Sequence, residues 1–242
     1  MALYAFADTH LSLSADKPMD IFGSRWKGHT KKIRGLWNNM ISPEDTVVIA
    51  GDISWGLTLN DASQDLRFLA SLPGKKILLK GNHDFWWTSL KKNEDFFRAE
   101  GIDSISLIQN NSINAGDFTV CGTRGWYNDP QSNPHDNCDN KKIIAREVLR
   151  LRMSLEHAVK NGDGRQIVLF MHFPPVFGTF VCRELVDMLH EFGITRCYFG
   201  HIHGSYRIPP VNVFEGIEFH IISADYLDFR PKLIEPSQNT VD

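Results

Sequence analysis

Apolar residues fall along this chain in short unbroken runs, most of them ended by Gly, Asp or His. The runs cover 2–7, 46–50, 76–80, 117–121, 166–171, 195–199 and 217–223. Their length and bounding residues read as buried strands. Longer amphipathic stretches lie between several of them and predict helices over about 24–40, 60–70, 86–99, 140–160 and 181–192. Asn60 or Asp61 is placed to cap the second helix, and Pro73-Gly74 closes it. Asn161-Gly-Asp-Gly164 ends the fourth in the same way. The first half alternates strand and helix, which implies parallel strands joined by crossovers and an α/β fold. From about 104 to 126 the pattern changes to hairpin-linked strands around Asn114-Ala-Gly116-Asp117.

Five of the run ends carry metal-ligand side chains. They are Asp8-Thr-His10, Gly51-Asp52, Gly81-Asn82-His83-Asp84, Met171-His172 and Gly200-His201-Ile-His203. Asp8 and His10, like His201 and His203, are two residues apart, so each pair faces one side of an extended chain. In an open α/β sheet the carboxyl ends of the strands are where sites form. Each motif alone is an ordinary turn or cap. Carboxylate, amide oxygen and imidazole converging from five strand ends make a donor set for divalent metals.

Composition narrows the setting. With 242 residues and 42% hydrophobic content the chain can bury a substantial core. We expect one domain over 1–234 and a frayed polar tail over 235–242. A net charge of −3 argues against a broad nucleic-acid surface, and Lys31-Lys32, Lys75-Lys76, Lys91-Lys92 and Lys141-Lys142 read as solvated pairs. Cys121, Cys138, Cys182 and Cys197 form no C-x-x-C pair and are expected as free thiols. The start has no basic segment before its apolar run, and no stretch approaches a membrane span, so a cytoplasmic location is expected.

The five motifs, in this order, resemble those of the calcineurin-like metallophosphoesterase superfamily: D-x-H, G-D, G-N-H-[DE], a later His, and G-H-x-H. The resemblance implies a four-layer αββα sandwich around two divalent transition-metal ions (Mn, Zn, Fe or Ni). By the same resemblance Asp8, His10 and His203 hold one ion, Asn82, His172 and His201 hold the other, and Asp52 bridges them. His83 is then the catalytic histidine, with Asp84 orienting it and raising its pKa. Two divalent ions outweigh Asp8, Asp52 and a bridging hydroxide by about one positive charge, which suits a phosphate ester, and the metal-activated water is the nucleophile. The implied activity is hydrolysis of small phosphomonoesters or phosphodiesters. A nuclease would call for basic clusters that are missing, and a silent scaffold for lost ligands.

Trp55 stands where purple acid phosphatases have a tyrosine ligand, and no D-R-G follows Gly51-Asp52 as in the serine/threonine phosphatases. His83 replaces the arginine usual in lipid A pathway pyrophosphohydrolases. The remaining similarity is to stand-alone bacterial-type phosphohydrolases. Arg124, after the strand 117–121, is a candidate to hold substrate phosphate. Of Trp86 and Trp87, at least one belongs to the core and the other is a candidate pocket wall. Trp126-Tyr127 opens the irregular segment 126–141, a candidate rim. His29, His157 and His190 are expected on solvent faces, with His135 in a loop and His220 in the last strand; none of the five is expected to bind metal, although His29 falls in a region, 12–30, that follows the first motif and is a candidate border of the site.

Overall fold

The computed structural model describes residues 1–127 and 137–236, with the side chains of 137–139 set aside. Strands β1 (Leu3–Phe6), β2 (Thr46–Ala50), β3 (Lys75–Leu79) and β4 (Ile105–Leu107) alternate with helices α1 (His29–Met40), α2 (Leu59–Ser71) and α3 (Leu90–Ala99). Then come β5 (Ser112–Ala115), β6 (Phe118–Thr123), α4 (Asn137–Asn161), β7 (Gln166–Met171), β8 (Val176–Phe177) and β9 (Phe180–Val181). The chain continues through α5 (Arg183–Glu191), β10 (Arg196–Phe199), β11 (Val211–Phe214), β12 (Ile217–Ile221) and β13 (Lys232–Ile234).

Two large sheets result. One has the order β13-β1-β2-β3-β4 and the other β11-β12-β10-β7-β6-β5, while β8 and β9 form a small hairpin. The pairs β1–β2, β2–β3 and β3–β4 are parallel, as are β6–β7, β7–β10 and β10–β12. Antiparallel strands β13, β5 and β11 close three of the four edges.

The layers follow from the two-residue period of a strand. In β2, Val47 and Ile49 join a core with Ile33, Trp37, Leu66 and Phe97 from α1, α2 and α3. Val48 and Ala50, facing the other way, join Val120, Val168, Phe170 and Tyr198 of the second sheet. In β10, Cys197 and Phe199 pack with Leu151, Leu155, Leu185 and Leu189 of α4 and α5. Helices therefore cover both outer faces and the sheets face each other, the αββα arrangement. At about 1.5–3 kcal/mol for each fully buried Val, Leu, Ile or Phe, the three contiguous cores outweigh any single surface contact.

The helix caps differ in detail from expectation. Thr58, rather than Asn60 or Asp61, caps α2: its hydroxyl accepts from Asp61 N at 3.2 Å, and the Asp61 carboxylate accepts from Thr58 N at 2.9 Å. The expected helix 86–99 starts only at Leu90, because Trp86 and Trp87 turn inward ahead of it and both are buried. Lys76 is also buried, in β3, where its ammonium donates to the carbonyls of Leu72 and Gly74. Its expected solvent exposure is therefore wrong. Cys121, Cys182 and Cys197 are free and buried. His135, the side chain of Cys138, residues 128–136 of the candidate rim and residues 237–242 of the tail lie outside the described residues. Among the described residues no helix is long and apolar enough to cross a membrane.

Candidate metal centre

All five motifs sit where strands of the two sheets end and face each other. Beyond their last paired residues, the β1 and β2 segments stay zipped: Asp8 N donates to Gly51 O and His10 N to Asp52 O, both at 2.9 Å. The β12 segment crosses to the first sheet through an Ala7–Ser223 bridge, and Gly200 N donates to His172 O at 3.1 Å. Close approach demands glycine at two of these turns. A Cβ on Gly51 would stand 2.6 Å from His172 Nδ1, and one on Gly81 would stand 2.1 Å from Asp52 Oδ1.

Two triads of donor atoms result, each with all members within 4.8 Å of one another: Asp8, His10 and His203, and Asp52, His172 and His201. His10 Nε2 lies 3.3 Å from His203 Nε2, and His203 Nε2 lies 3.8 Å from Asp8 Oδ1. Asn82 Oδ1 is 2.6 Å from His172 Nε2, which adds the amide to the second triad. Asp52 Oδ2 faces both, 3.7 Å from His10 Nε2 and 3.5 Å from His172 Nε2. The Asp8 carboxylate also accepts from His201 N.

The chemistry of this donor set fits divalent cations. Burial, aided by the Asp52 charge, pushes the Asp8 carboxyl well up, and burial does the same to Asp52. Burial drives His172 down to about 3 and His201 to about 2, so both imidazoles are neutral and have lone pairs to offer. His10 is lowered too, by burial and then by His203. Two desolvated carboxylates beside neutral imidazoles are a cluster that positive charge would relieve. Backbone geometry agrees: Asp8, His10, Asp52 and His201 all hold left-handed conformations, with φ of 59°, 43°, 51° and 68°. Such conformations cluster at functional sites.

His203 behaves differently. Burial lowers it, but the hydrogen bond from its Nδ1 to Asp225 Oδ1 at 2.8 Å and the charges of Asp8, Asp225 and Asp52 prevail and raise it to about 9. Asp225 is buried and also accepts from Gly204 N and the Tyr206 hydroxyl. Sequence reasoning missed it. The signal was present, since Asp225 follows the apolar run 217–223 much as Asp8 follows 2–7. His29 is not on a solvent face: it is buried, with Nε2 3.3 Å from His10 O, so the region after the first motif does border the site there. His157 and His190 are exposed as expected.

His83 and Asp84 do not pair. The Asp84 carboxylate accepts from Ile53 N, Ser54 N, Trp86 Nε1 and Gly81 N, so it fastens the turns around Asp52 rather than orienting an imidazole. The His83 backbone N–H donates to Asp52 Oδ1 at 2.8 Å, and its ring lies 4.4 Å from Trp55 and 5.8 Å from His10. Burial lowers its pKa and Asp52 opposes that only in part, contrary to the expected rise. Trp55 also stacks on His10 at 5.0 Å. His10, Asp52, His83, His201 and His203 line a cavity of about 430 Å³ whose other walls include Lys17, Trp26 and Tyr206.

Arg124 stands apart from that cavity. It lines a second one of about 290 Å³ with Lys80, Trp87, Arg146, Glu147 and Arg150. Burial lowers its pKa, Glu147 raises it, and Arg146 and Arg150 lower it again. Tyr127, at the start of the candidate rim, has its ring 5.9 Å from that of His201.

The sequence pattern of calcineurin-like phosphoesterases matches residues 1–205. Comparison with curated proteins returns no match. Among solved structures, the chain resembles the phosphopantetheinyl hydrolase of Mycobacterium tuberculosis with 14% identity and a TM-score of 0.59, covering 100% of this chain and 98% of that one. It also resembles a protein of Thermus thermophilus with 9% identity and a TM-score of 0.56, over 96% and 97% of the two chains. At these identities the likeness is one of fold.

Proposed function

Because the chain belongs to the calcineurin-like phosphoesterase family, whose general chemistry is phosphoester hydrolysis, we propose that it is a two-metal phosphohydrolase acting on small phosphomonoesters or phosphodiesters. The observation that carries this reading is Asp52 Oδ2, which faces His172 of its own triad at 3.5 Å and His10 of the other triad at 3.7 Å. Asp8, His10 and His203 would hold one divalent ion, and His172, His201 and Asn82 the other, with Asp52 shared. Bound there, the ions supply charge to grip a phosphoryl group and acidity to activate water.

The chain's own residues do the rest. Asp225 fixes the His203 ring by its Nδ1, leaving Nε2 to face the site. The Ala50 carbonyl, 3.1 Å from His172 Nδ1, sets that ring in the same way. His83, on the cavity wall over Trp55, is placed to give an imidazole N–H to a phosphoryl or leaving oxygen. Trp55 and Trp26 exclude water from one side of the site.

Elemental analysis and a hydrolysis panel test the proposal together. The panel sets p-nitrophenyl phosphate against bis-p-nitrophenyl phosphate and cyclic nucleotides, each with Mn, Zn, Fe and Ni. Two equivalents of metal and metal-dependent release of product are expected. Protein that takes up no metal on reconstitution would overturn the reading.

A further inference from the structure

The second cavity holds no residue of the donor triads, yet it is built against them. Lys80 lies two residues before Asn82, and the Arg124 carbonyl accepts from Phe173 N at 2.8 Å, directly after His172. Four cationic side chains, Lys80, Arg124, Arg146 and Arg150, line it with one carboxylate, Glu147. Glu147 is buried and already occupied: one oxygen accepts from Thr123 at 2.6 Å, the other from Arg150 at 2.7 Å, with Arg124 at 3.8 Å. It therefore holds two guanidinium groups side by side without balancing the pocket.

Among the described residues Arg146 has no ion pair, Lys80 reaches only the Trp87 carbonyl at 3.4 Å, and the buried Arg124 Nε has no hydrogen-bond partner. Cations gathered this closely repel one another unless an anion joins them. Paired guanidinium forks match the oxygens of a tetrahedral phosphoryl group. A volume of about 290 Å³ suits a small anion better than a drug-sized ligand.

We propose that this pocket binds a second phosphoryl group of the substrate, so that the neighbouring site prefers phosphate esters carrying another phosphate over isolated monoesters. The inference rests on the phosphohydrolase reading for its substrate part, while the anion site stands on its own geometry.

Two measurements test it separately, using Arg146→Gln and the double variant Lys80→Gln/Arg146→Gln, both outside the Glu147 hydrogen bonds. In the first, pyrophosphate is titrated calorimetrically into chelator-treated full-length protein. Binding by the wild type that weakens about tenfold or more in the double variant is expected, the size of a lost charge-assisted contact. No binding, or equal binding by both, overturns the anion site. In the second, the metal-loaded enzyme is given fructose 1,6-bisphosphate and fructose 6-phosphate. Arg146→Gln is expected to lower kcat/KM for the bisphosphate about tenfold more than for the monophosphate. An equal loss on both, with pyrophosphate still bound, overturns the substrate role and leaves an effector site. Failure of the wild type to hydrolyse any ester with any metal overturns the phosphohydrolase reading and the substrate role with it, and the titration still decides the anion site.

Discussion

The two donor triads are built from the same residue types but in different surroundings. His10 and His203 of the first triad line the cavity of about 430 Å³, as do Asp52 and His201 of the second, but the His203 side chain is 33% exposed. A carboxylate, Asp225, holds that histidine from behind. His172 is fully buried, braced by a backbone carbonyl, and His201 packs edge-on against Phe173 at 4.4 Å. The first triad is thus set apart by a charge-held histidine at the solvent edge, and the second by His172, packed in the interior. Metals bound in the two places should differ in how easily they leave. On graded chelation, one equivalent should be lost from the first triad well before the second.

Variants can break this contrast or sharpen it. The largest effect is expected from Asp52→Asn, since Asp52 faces both triads. Both equivalents of metal should be lost, with activity down by roughly 10⁴ or more, beyond the usual range for loss of a general acid. If elemental analysis still finds two ions and near-normal turnover, the shared role of Asp52 is wrong.

His83→Ala comes next. The ring lies over the first triad without belonging to it, so metal content should stay at two while kcat falls by about 10²–10⁴. The loss should be larger for an alkyl phosphate than for a nitrophenyl ester, whose leaving oxygen needs little help. Equal losses would reduce His83 to a positioning residue, and a lost metal would make it a ligand.

Asp225→Asn acts on the first triad alone. Affinity for one ion should fall about 10–100-fold, the usual cost of losing a residue that orients a ligand. Competition with a metallochromic indicator resolves the two equivalents, and weakening of both would erase the distinction between the triads. The smallest effect belongs to Thr58→Ala, which removes the cap of α2 on the outer face of the first sheet. Unfolding in denaturant should show a loss of about 1 kcal/mol with both metals retained. A drop in metal content would show that the centre depends on that helix end.

The donor positions were legible because each lies at a strand end, where an apolar run stops and a polar side chain must find a use. Asp225 carries the same mark, but it stands alone after its run, without the paired His or Gly that made the other motifs conspicuous. The inward turn of Trp86 was hidden because it depends on the Asp84 carboxylate accepting its indole N–H, a contact that the 3.6-residue period does not register. Residues His29 and Lys76 share a different failing. Their polar ends meet backbone carbonyls that only the folded chain brings near, so polarity alone sent them to the surface. The cationic pocket joins β3, β6 and α4, and no local window of sequence contains all three.

One consequence of the left-handed backbone at Asp8, His10, Asp52 and His201 concerns selection on the protein as a whole. Each such residue costs about 1–3 kcal/mol relative to a relaxed conformation. Glycine would sit there more comfortably. A lineage released from its chemistry would be free to drift toward glycine, gaining heat tolerance while its two sheets kept their register. Durability and activity therefore compete at the same four codons, and those positions give an early record of whether a descendant still uses the site.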